Sequence, residues 1–263
     1  MDLANLFSLD GRVALVTGGS RGIGRMIVEG FLAAGCARIY ITARKEGQLA
    51  ETVSALGDRV IGIPMDISTV QGCESLAREL ASREERLDIL VNNAGAAWGA
   101  DYLEFPEHGW DKVMDLNVKS LFFLTKALHA PLTAAASAER PAKVINIASI
   151  DGIRLNPMES YSYQASKAAV IQLTRCMAAR LVRENVLVTA IAPGAFASEM
   201  NRAARDRAEA ISHGIPARRI GEPEDMAAAA IYLASRAGDY VIGHSLVVDG
   251  GLVDASLPGA APS

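Results

Sequence analysis

Val13-Ala14-Leu15-Val16-Thr17-Gly18-Gly19-Ser20-Arg21-Gly22-Ile23-Gly24 decides the fold, because an apolar run ends there in a glycine-dense turn and a helical pattern begins at once. Arg12 to Thr17 is short, Val-rich and flanked by glycines, which reads as a strand buried on both faces of a parallel sheet. Beyond Gly22 the apolar positions Ile23, Met26, Ile27 and Phe31 follow helical spacing, and Gly35 stands where a C-terminal cap belongs. Strand, tight turn and helix N-terminus together make an anion site, since free backbone N–H groups and the helix dipole converge on it. The spacing is not G-x-G-x-x-G, because Ile27 stands in the last glycine's place. Nor is it a P-loop, because Arg25-Met26 follows Gly24 where Lys and Ser or Thr are required. What remains is G-x-x-x-G-x-G on Gly18, Gly22 and Gly24. A lone glycine cluster is equally a structural turn; the flanking strand and helix make this one a candidate dinucleotide site.

Length and charge narrow the rest. The 263 residues can bury a sizeable core, and a net charge of −4 gives no basic footprint for nucleic acid. Cys36, Cys73 and Cys176 are widely spaced without a C-x-x-C pair, so they read as small buried core thiols rather than disulfides or a zinc site. His108, His129, His213 and His244 show no ligand spacing, and no metal is expected. No signal-like N-terminus is present and no apolar run reaches the ~18 residues of a membrane span. The expectation is a soluble cytoplasmic protein with no nucleic-acid or membrane partner.

Strand-like and helix-like segments alternate along the chain. Strands are expected at Arg38 to Thr42, Val60 to Ile63, Leu87 to Asn92, Val144 to Ser149, Val186 to Ala192 and Ser245 to Val248. Helices are expected at Glu46 to Leu56, Thr69 to Arg86, Trp110 to Leu132, Tyr161 to Arg183 and Glu224 to Ser235, with an irregular insert from Ala134 to Ala142 and a less regular stretch over 194–216. The fold class is therefore α/β: a single-domain, doubly wound, Rossmann-like parallel sheet of about seven strands over residues 1–253, helices on both faces, with 254–263 a loose tail. Thr17, Asp66, Asn92, Ser149 and Pro193-Gly194 fall at strand carboxyl ends, where such sheets bind ligands, and are expected to converge on one crevice.

The densest chemical signal is Tyr161-Ser162-Tyr163-Gln164-Ala165-Ser166-Lys167. Tyr163 and Lys167 are one helical turn apart and share a face. An ammonium ~4 Å from a phenol at an effective dielectric of ~20 stabilises the phenolate by ~4 kcal/mol, about three pKa units, enough to bring it near working pH. The plainer alternative is a half-buried Tyr beside a solvated Lys. Tyr161 is a decoy, since its neighbour one turn on is Ala165.

Thr17-Gly18-x3-Gly22-x-Gly24, Asn92-Asn93-Ala94-Gly95, Asn117, Ser149, Tyr163-x3-Lys167, Pro193-Gly194 and Val248-Asp249-Gly250-Gly251 occur in this order. Over residues 8–252 the chain thereby resembles the short-chain dehydrogenases/reductases. The resemblance implies that Tyr163 is the acid or base at a ketone or alcohol oxygen and that Lys167 binds the nicotinamide ribose and lowers the Tyr163 pKa. It also implies that Ser149 hydrogen-bonds the reacting oxygen and that Asn117 holds a relay water. Cofactor contacts would come from Gly18, Ser20, Arg21, Gly22, Ile23, Gly24, Arg44, Asp66, Ile67, Asn93, Ala94, Gly95, Tyr163, Lys167, Pro193, Gly194, Phe196 and Ser198, with Asp66 meeting the adenine. Phe196 and Ser198 depart from the more frequent aliphatic residue and threonine. Trp98 and Met200 would line an apolar substrate pocket, and a homotetramer, with a dimer second, would be the assembly.

In this architecture an acidic residue about 20 positions after the glycine turn binds the adenosine ribose and repels a 2′-phosphate. Here Ala43 occupies that slot and Arg44-Lys45 follows, so Arg44 and Arg21 are expected to hold the phosphate of NADP(H). Within the family the chain looks most similar to 3-ketoacyl reductases of the rhamnolipid-linked type, and next to gluconate and other sugar-type reductases. The expected function is NADP(H)-dependent reduction of a 3-ketoacyl or other partly apolar ketone. A sugar-acid or polyol dehydrogenase is the alternative, and a non-catalytic NADP(H) sensor or scaffold the alternative of another class.

Overall fold

Short runs rich in Val, Ile and Leu become strands because both of their faces are covered. The computed structural model describes residues 2–256. Its strands are β1 (Val13–Thr17), β2 (Arg38–Ala43), β3 (Val60–Pro64), β4 (Ile89–Asn92), β5 (Ala142–Ile147), β6 (Val186–Pro193) and β7 (Ser245–Val248). They form one parallel sheet in the order β3-β2-β1-β4-β5-β6-β7, and register pairs such as Thr17↔Thr42, Asn92↔Asn146 and Pro193↔Val248 align their carboxyl ends. The order reverses between β1 and β4, which opens the crevice that doubly wound sheets use for ligands.

The helices are α1 (Leu3–Phe7), α2 (Gly22–Ala33), α3 (Glu46–Leu56), α4 (Val70–Ala81), α5 (Glu107–Met114), α6 (Ser120–Ala127), α7 (His129–Ala135), α8 (Tyr161–Leu181), α9 (Arg202–Asp206), α10 (Ala208–Ser212) and α11 (Pro223–Ala234). Successive strand side chains point to opposite faces and so feed two cores. Leu15, Leu90, Val144 and Val188 pack with Leu76, Leu121, Leu124 and Val170 from α4, α6 and α8. Val16, Ile41, Val91 and Ile145 pack with Ile27, Phe31, Leu49 and Met226 from α2, α3 and α11. Each such side chain is worth ~1.5–3 kcal/mol of transfer from water.

The amino ends of the strands carry a buried charge cluster, at the end of the sheet away from the crevice. Asp88 is 1% exposed, accepts the Val13 N–H at 2.9 Å and pairs with Arg12 at 3.3 Å and Arg140 at 3.5 Å. Lys143 pairs nearby with Asp239 at 2.6 Å. Arg140 thus ties the 134–142 insert to the sheet far from the ligand end.

Some expectations need correction. The helix expected over Trp110 to Leu132 is three helices. The π-helical turn Asp115–Lys119 separates α5 from α6, and Pro131, which lacks the N–H for an unbroken helix, separates α6 from α7. Cys36 and Cys73 are buried as expected, but Cys176 lies on the outer stripe of α8 and is exposed. The four histidines are exposed, and among the described residues no His, Cys, Asp and Glu cluster has a metal-binding arrangement. No helix among them is long and apolar enough to cross a membrane. Of the expected loose tail, Asp254, Ala255 and Ser256 are exposed, and 257–263 lie outside the described residues.

Candidate active site

Chain reversal after β1 needs left-handed backbone, which glycine adopts without strain: Gly18 has φ +65° and Gly22 φ +52°. The α2 helix begins at Gly22, and its N-cap, Arg21, makes no side-chain capping bond. Its first-turn N–H groups therefore lack a side-chain cap at the crevice. A Cβ at Gly24 would lie 2.5 Å from Asn93 Nδ2 and closer still to Gly18 O, so the helix can approach the strand only as glycine.

Asn93 and Thr17 lock this turn to the end of β4. Asn93 Nδ2 donates to Thr17 O at 2.8 Å and Gly18 O at 3.2 Å, while Thr17 Oγ1 accepts from Asn93 N and Ala94 N, each at 2.9 Å. Thr17 and Asn92 therefore serve the frame and not the open crevice. Asn92 is 6% exposed, and its amide donates to Thr125 Oγ1 at 3.1 Å and Asn146 Oδ1 at 2.9 Å. Ser20 and Ile67 are buried beneath the same end of the sheet.

Arg21 and Arg44 are both exposed, and β2 closes on Ala43, so the position at its end carries no carboxylate. Burial pushes the Asp66 carboxyl up, but hydrogen bonds from Ser68 and the charge of Arg44 outweigh it and hold the group below its ordinary value. Across the crevice, Pro193 ends β6, and Ser198 Cβ comes within 3.1 Å of where a Gly22 side chain would begin. Phe196 is 2% exposed and turns away into the core, its ring filling the space over Gly221.

The other half of the site is built on β5 and α8. Ser149 follows β5 in extended conformation, is 7% exposed, and accepts the Asp151 N–H at 3.1 Å, starting the 150–152 turn. Gly152 lets that turn lie directly on α8, since a Cβ there would sit 2.5 Å from Lys167 C. Tyr163 occupies the first turn of α8, with Lys167 one turn on. Lys167 is 5% exposed, donates to Ile147 O at 2.7 Å, and its Nζ lies 5.5 Å from the centre of the Tyr163 ring.

The expected lowering of the Tyr163 pKa is not what this geometry produces. Burial pushes the phenol up to about 12, the Ser149 hydroxyl acting downward and the Asp151 charge upward. Burial also brings Lys167 down to about 8, with Asp151 acting upward. Desolvation of the charged form sets the direction at both residues.

Asn117 lies inside the π-helical turn, where Ser120 N–H reaches back five residues to Asp115 O. Its Oδ1 accepts Ala96 N at 2.8 Å, and its Nδ2 donates to Ala96 O at 2.9 Å and Ser166 Oγ at 2.9 Å. Ser166 Oγ in turn donates to Tyr163 O at 2.7 Å. The Asn117 side chain is thus committed to holding the loop after Gly95 against α8.

Trp98 packs on Gly109, edge-on to His108 at 5.0 Å and under the Lys112 ammonium at 5.0 Å. Met200 is 51% exposed. Tyr161 is on the far side of α8 from Tyr163 and lines a separate 330 Å³ cleft with Tyr102, Phe105, Pro106, Glu107 and Trp110. Sequence reasoning missed Asp151, Asn156 and Gln164. Asn156 Nδ2 donates to Asp151 Oδ2 at 3.1 Å, and Gln164 Oε1 accepts the Asn156 N–H at 3.2 Å. For Asp151 and Gln164 the signal was position alone, two residues after Ser149 and one after Tyr163, and nothing in the sequence marked Asn156.

Comparisons with known proteins agree with this architecture. A family model described as enoyl-(acyl carrier protein) reductase matches residues 18–253. A rhamnolipids biosynthesis 3-oxoacyl-[acyl-carrier-protein] reductase of Pseudomonas aeruginosa is 49% identical over 93% of this chain and 97% of its own. A 2-dehydro-3-deoxy-D-gluconate 5-dehydrogenase of Escherichia coli is 39% identical over 95% and 98%. Among solved structures, a Pseudomonas aeruginosa RhlG/NADP active-site complex superposes with a TM-score of 0.90 at 49% identity, covering 94% of this chain and 98% of that one. A Burkholderia cenocepacia gluconate 5-dehydrogenase in complex with NADP and tartrate superposes with a TM-score of 0.87 at 34% identity, covering 97% and 100%. With near-complete coverage, a shared parallel sheet and the glycine turn, Ser149 and Tyr163-x3-Lys167 in place, the chain belongs to the short-chain dehydrogenase/reductase family of oxidoreductases.

Proposed function

We propose that this protein reduces the ketone of a 3-ketoacyl ester or thioester with NADP(H), using Tyr163 as general acid. The observation that carries the reading is the meeting of Tyr163, Ser149 and Lys167 at the carboxyl end of β5, in the crevice that also holds the glycine turn. A bound reduced nicotinamide supplies the hydride. The chain's part begins with the α2 N-terminus and the Gly18–Gly24 turn, whose backbone N–H groups suit a pyrophosphate. Arg21 and Arg44 provide guanidiniums for a 2′-phosphate, and Asp66, Asn93, Gly95, Gly194 and Ser198 border the same cleft. The fit is supported by the missing acid at Ala43 and by the glycines no larger residue can replace.

Charge then develops on the ketone oxygen. Ser149 donates a hydrogen bond to it and Tyr163 gives it a proton, which converts an alkoxide into a neutral alcohol. A phenol held near 12 keeps that proton at neutral pH and is a competent donor, so the raised pKa suits reduction. Lys167, anchored on Ile147 O, is placed for the ribose hydroxyls, and Asn117 holds the loop that shapes this wall. A sensor without turnover would have no use for Tyr163 and a buried Lys167 set beside the Ser149 hydroxyl.

The substrate class is supported by the relative named for 3-oxoacyl reduction at 49% identity, while gluconate-type relatives at 39% support the second reading, a sugar-acid dehydrogenase. The family model's description names an enoyl reductase, yet both of these relatives are named for chemistry at a carbonyl or alcohol. Exposed Trp110, Phe122 and Ile242, together with the half-covered edge strand β7, support a homotetramer. Three free thiols suit the reducing cytoplasm. A panel of medium-chain 3-ketoacyl esters, apolar ketones and keto-aldonates followed by nicotinamide absorbance tests the substrate. Preference for the acyl compounds is expected, and a clear preference for a sugar acid would promote the second reading.

A further inference from the structure

We propose that Asn156 is a positioning residue for the reaction, the middle link of a hydrogen-bonded tie that aims the Ser149 hydroxyl relative to Tyr163. The inference deepens the function proposed above and rests on it. The chain leaves the sheet at Ser149, just past β5, and reaches Tyr163 in the first turn of α8. Residues 153–160 between them form neither helix nor strand, and Leu155 and Met158 stand exposed on this stretch. The sheet and α8 place the two ends of the connection. The direction of a serine hydroxyl, a free rotor, is set by its own hydrogen bonds.

The tie runs from one catalytic hydroxyl to the backbone of the other. Asp151 N–H donates to Ser149 Oγ at 3.1 Å. Asn156 Nδ2 donates to Asp151 Oδ2 at 3.1 Å. Asn156 N–H then donates to Gln164 Oε1 at 3.2 Å, and Gln164 Nε2 donates back to Asn156 O at 3.3 Å. Gln164 is peptide-bonded to Tyr163, so the path ends on the helical turn that carries the phenol. Asn156 Oδ1 also accepts Met158 N at 3.0 Å, and Gln164 Nε2 reaches Met158 O at 3.1 Å, which holds the middle link from both sides.

A serine hydroxyl carries one proton and two accepting lone pairs. With a lone pair turned to Asp151 N–H, Ser149 keeps its proton for the ketone oxygen that Tyr163 protonates. Letting the 150–152 turn drift spoils that aim, and a misplacement of ~1 Å costs about 10²-fold in rate. Asp151 enters the tie as a hydrogen-bond acceptor, a part that an amide oxygen plays as well. Charged groups around the tie are engaged with other atoms. Arg154 donates to Leu252 O at 2.9 Å, Lys167 to Ile147 O at 2.7 Å, and Glu159 accepts the Tyr161 hydroxyl at 2.9 Å.

Steady-state kinetics with NADPH, on whichever ketone of the panel the wild type reduces fastest, separate aim from folding. Asn156→Leu should lower kcat at least about tenfold while KM for ketone and for NADPH stays within about twofold. Asp151→Asn keeps an acceptor and should retain kcat within about threefold. Asn156→Asp sets two carboxyl groups at hydrogen-bond distance, where one holds a proton more firmly than it would alone. Its kcat should be low at neutral pH and climb as pH falls toward about 5, a limb absent from the wild type, because the protonated form donates to Asp151 again. Exchanging the pair, Asp151→Asn together with Asn156→Asp, restores donor and acceptor in reverse and should return kcat at neutral pH to within about threefold of wild type. If Asn156→Leu does not fold, Gln164→Leu cuts the next link and carries the same expectation. Wild-type kcat in the folded leucine variant, or a double exchange no better than Asn156→Asp alone, would overturn the proposal. Tyr163→Phe separates the two readings: full activity there overturns both, whereas an inactive Tyr163→Phe beside fully active Asn156 and Gln164 variants removes the tie and leaves the general acid standing.

Discussion

At the residue scale the chemistry turns on how burial treats Tyr163 and Lys167. Tyr163→Phe removes the proton and keeps the shape. Turnover should fall at least ~10²-fold with cofactor affinity, read by fluorescence titration, little altered; equal turnover would contradict the proposed acid. The reverse reaction needs phenolate, and a phenol near 12 supplies it only in alkali. Alcohol oxidation should therefore climb steadily with pH where reduction does not. Lys167 has its own signature. Its folded value near 8 lies below its ordinary 10.5, so between these the unfolded chain binds more protons and stability rises with pH. The destabilisation of burying the ammonium is complete below 8 and relieved above it, by up to about 1.4 kcal/mol per pH unit. Denaturant unfolding of wild type and Lys167→Met across pH 8 to 10 should show that slope in the first and not in the second; Tyr163, at about 12 against 10.0, opposes it only at still higher pH. The Tyr163-x3-Lys167 pair was legible in the sequence because one helical turn fixes their common face. The sign of the phenol's shift was not, because spacing says nothing of how far Nζ stands from the ring or which carbonyl holds it.

Single elements carry the next scale of consequence. The glycine turn was fully legible, since Gly18, Gly22 and Gly24 mark left-handed backbone and close approach that other residues cannot make. Gly24→Ala forces a methyl against Asn93 Nδ2 and Gly18 O. Overpacking of this kind costs ~1–3 kcal/mol, so thermal unfolding should shift down and cofactor titration should weaken together. At the opposite end of the sheet, Asp88→Ala strands Arg12 in the interior, a loss of ~3–5 kcal/mol by urea unfolding; a change under ~1 kcal/mol would mean Arg12 is satisfied by Pro141 O alone. That cluster was invisible to pattern reading because Arg12, Asp88 and Arg140 meet only after β1, β4 and β5 align. The break in the helix expected over 110–132 was half visible: Pro131 announces the second interruption, whereas nothing local announces the π turn that seats Asn117.

For the whole molecule, alternation of strand and helix patterns gave the layer order, and parallel pairing followed from strands apolar on both faces. Asn92 marks where that logic overreached, because a strand-end position does not say whether a side chain faces the crevice or the buried Thr125 and Asn146. Assembly is the other property of the whole chain. Light scattering at micromolar concentration should give about four times 27.8 kDa, and a value near 27.8 kDa would remove the tetramer. Cofactor choice gathers contributions from β2, α2 and the empty acidic slot at Ala43, and with the substrate it forms the central claim. The most direct measurement is therefore kcat/KM for NADPH and for NADH in reduction of one medium-chain 3-ketoacyl thioester. Two charge-assisted guanidinium contacts at ~1.5–3 kcal/mol each give an expected NADPH preference of at least ~10²-fold. Equal use of NADH, or no reduction of the thioester with either cofactor, would contradict it.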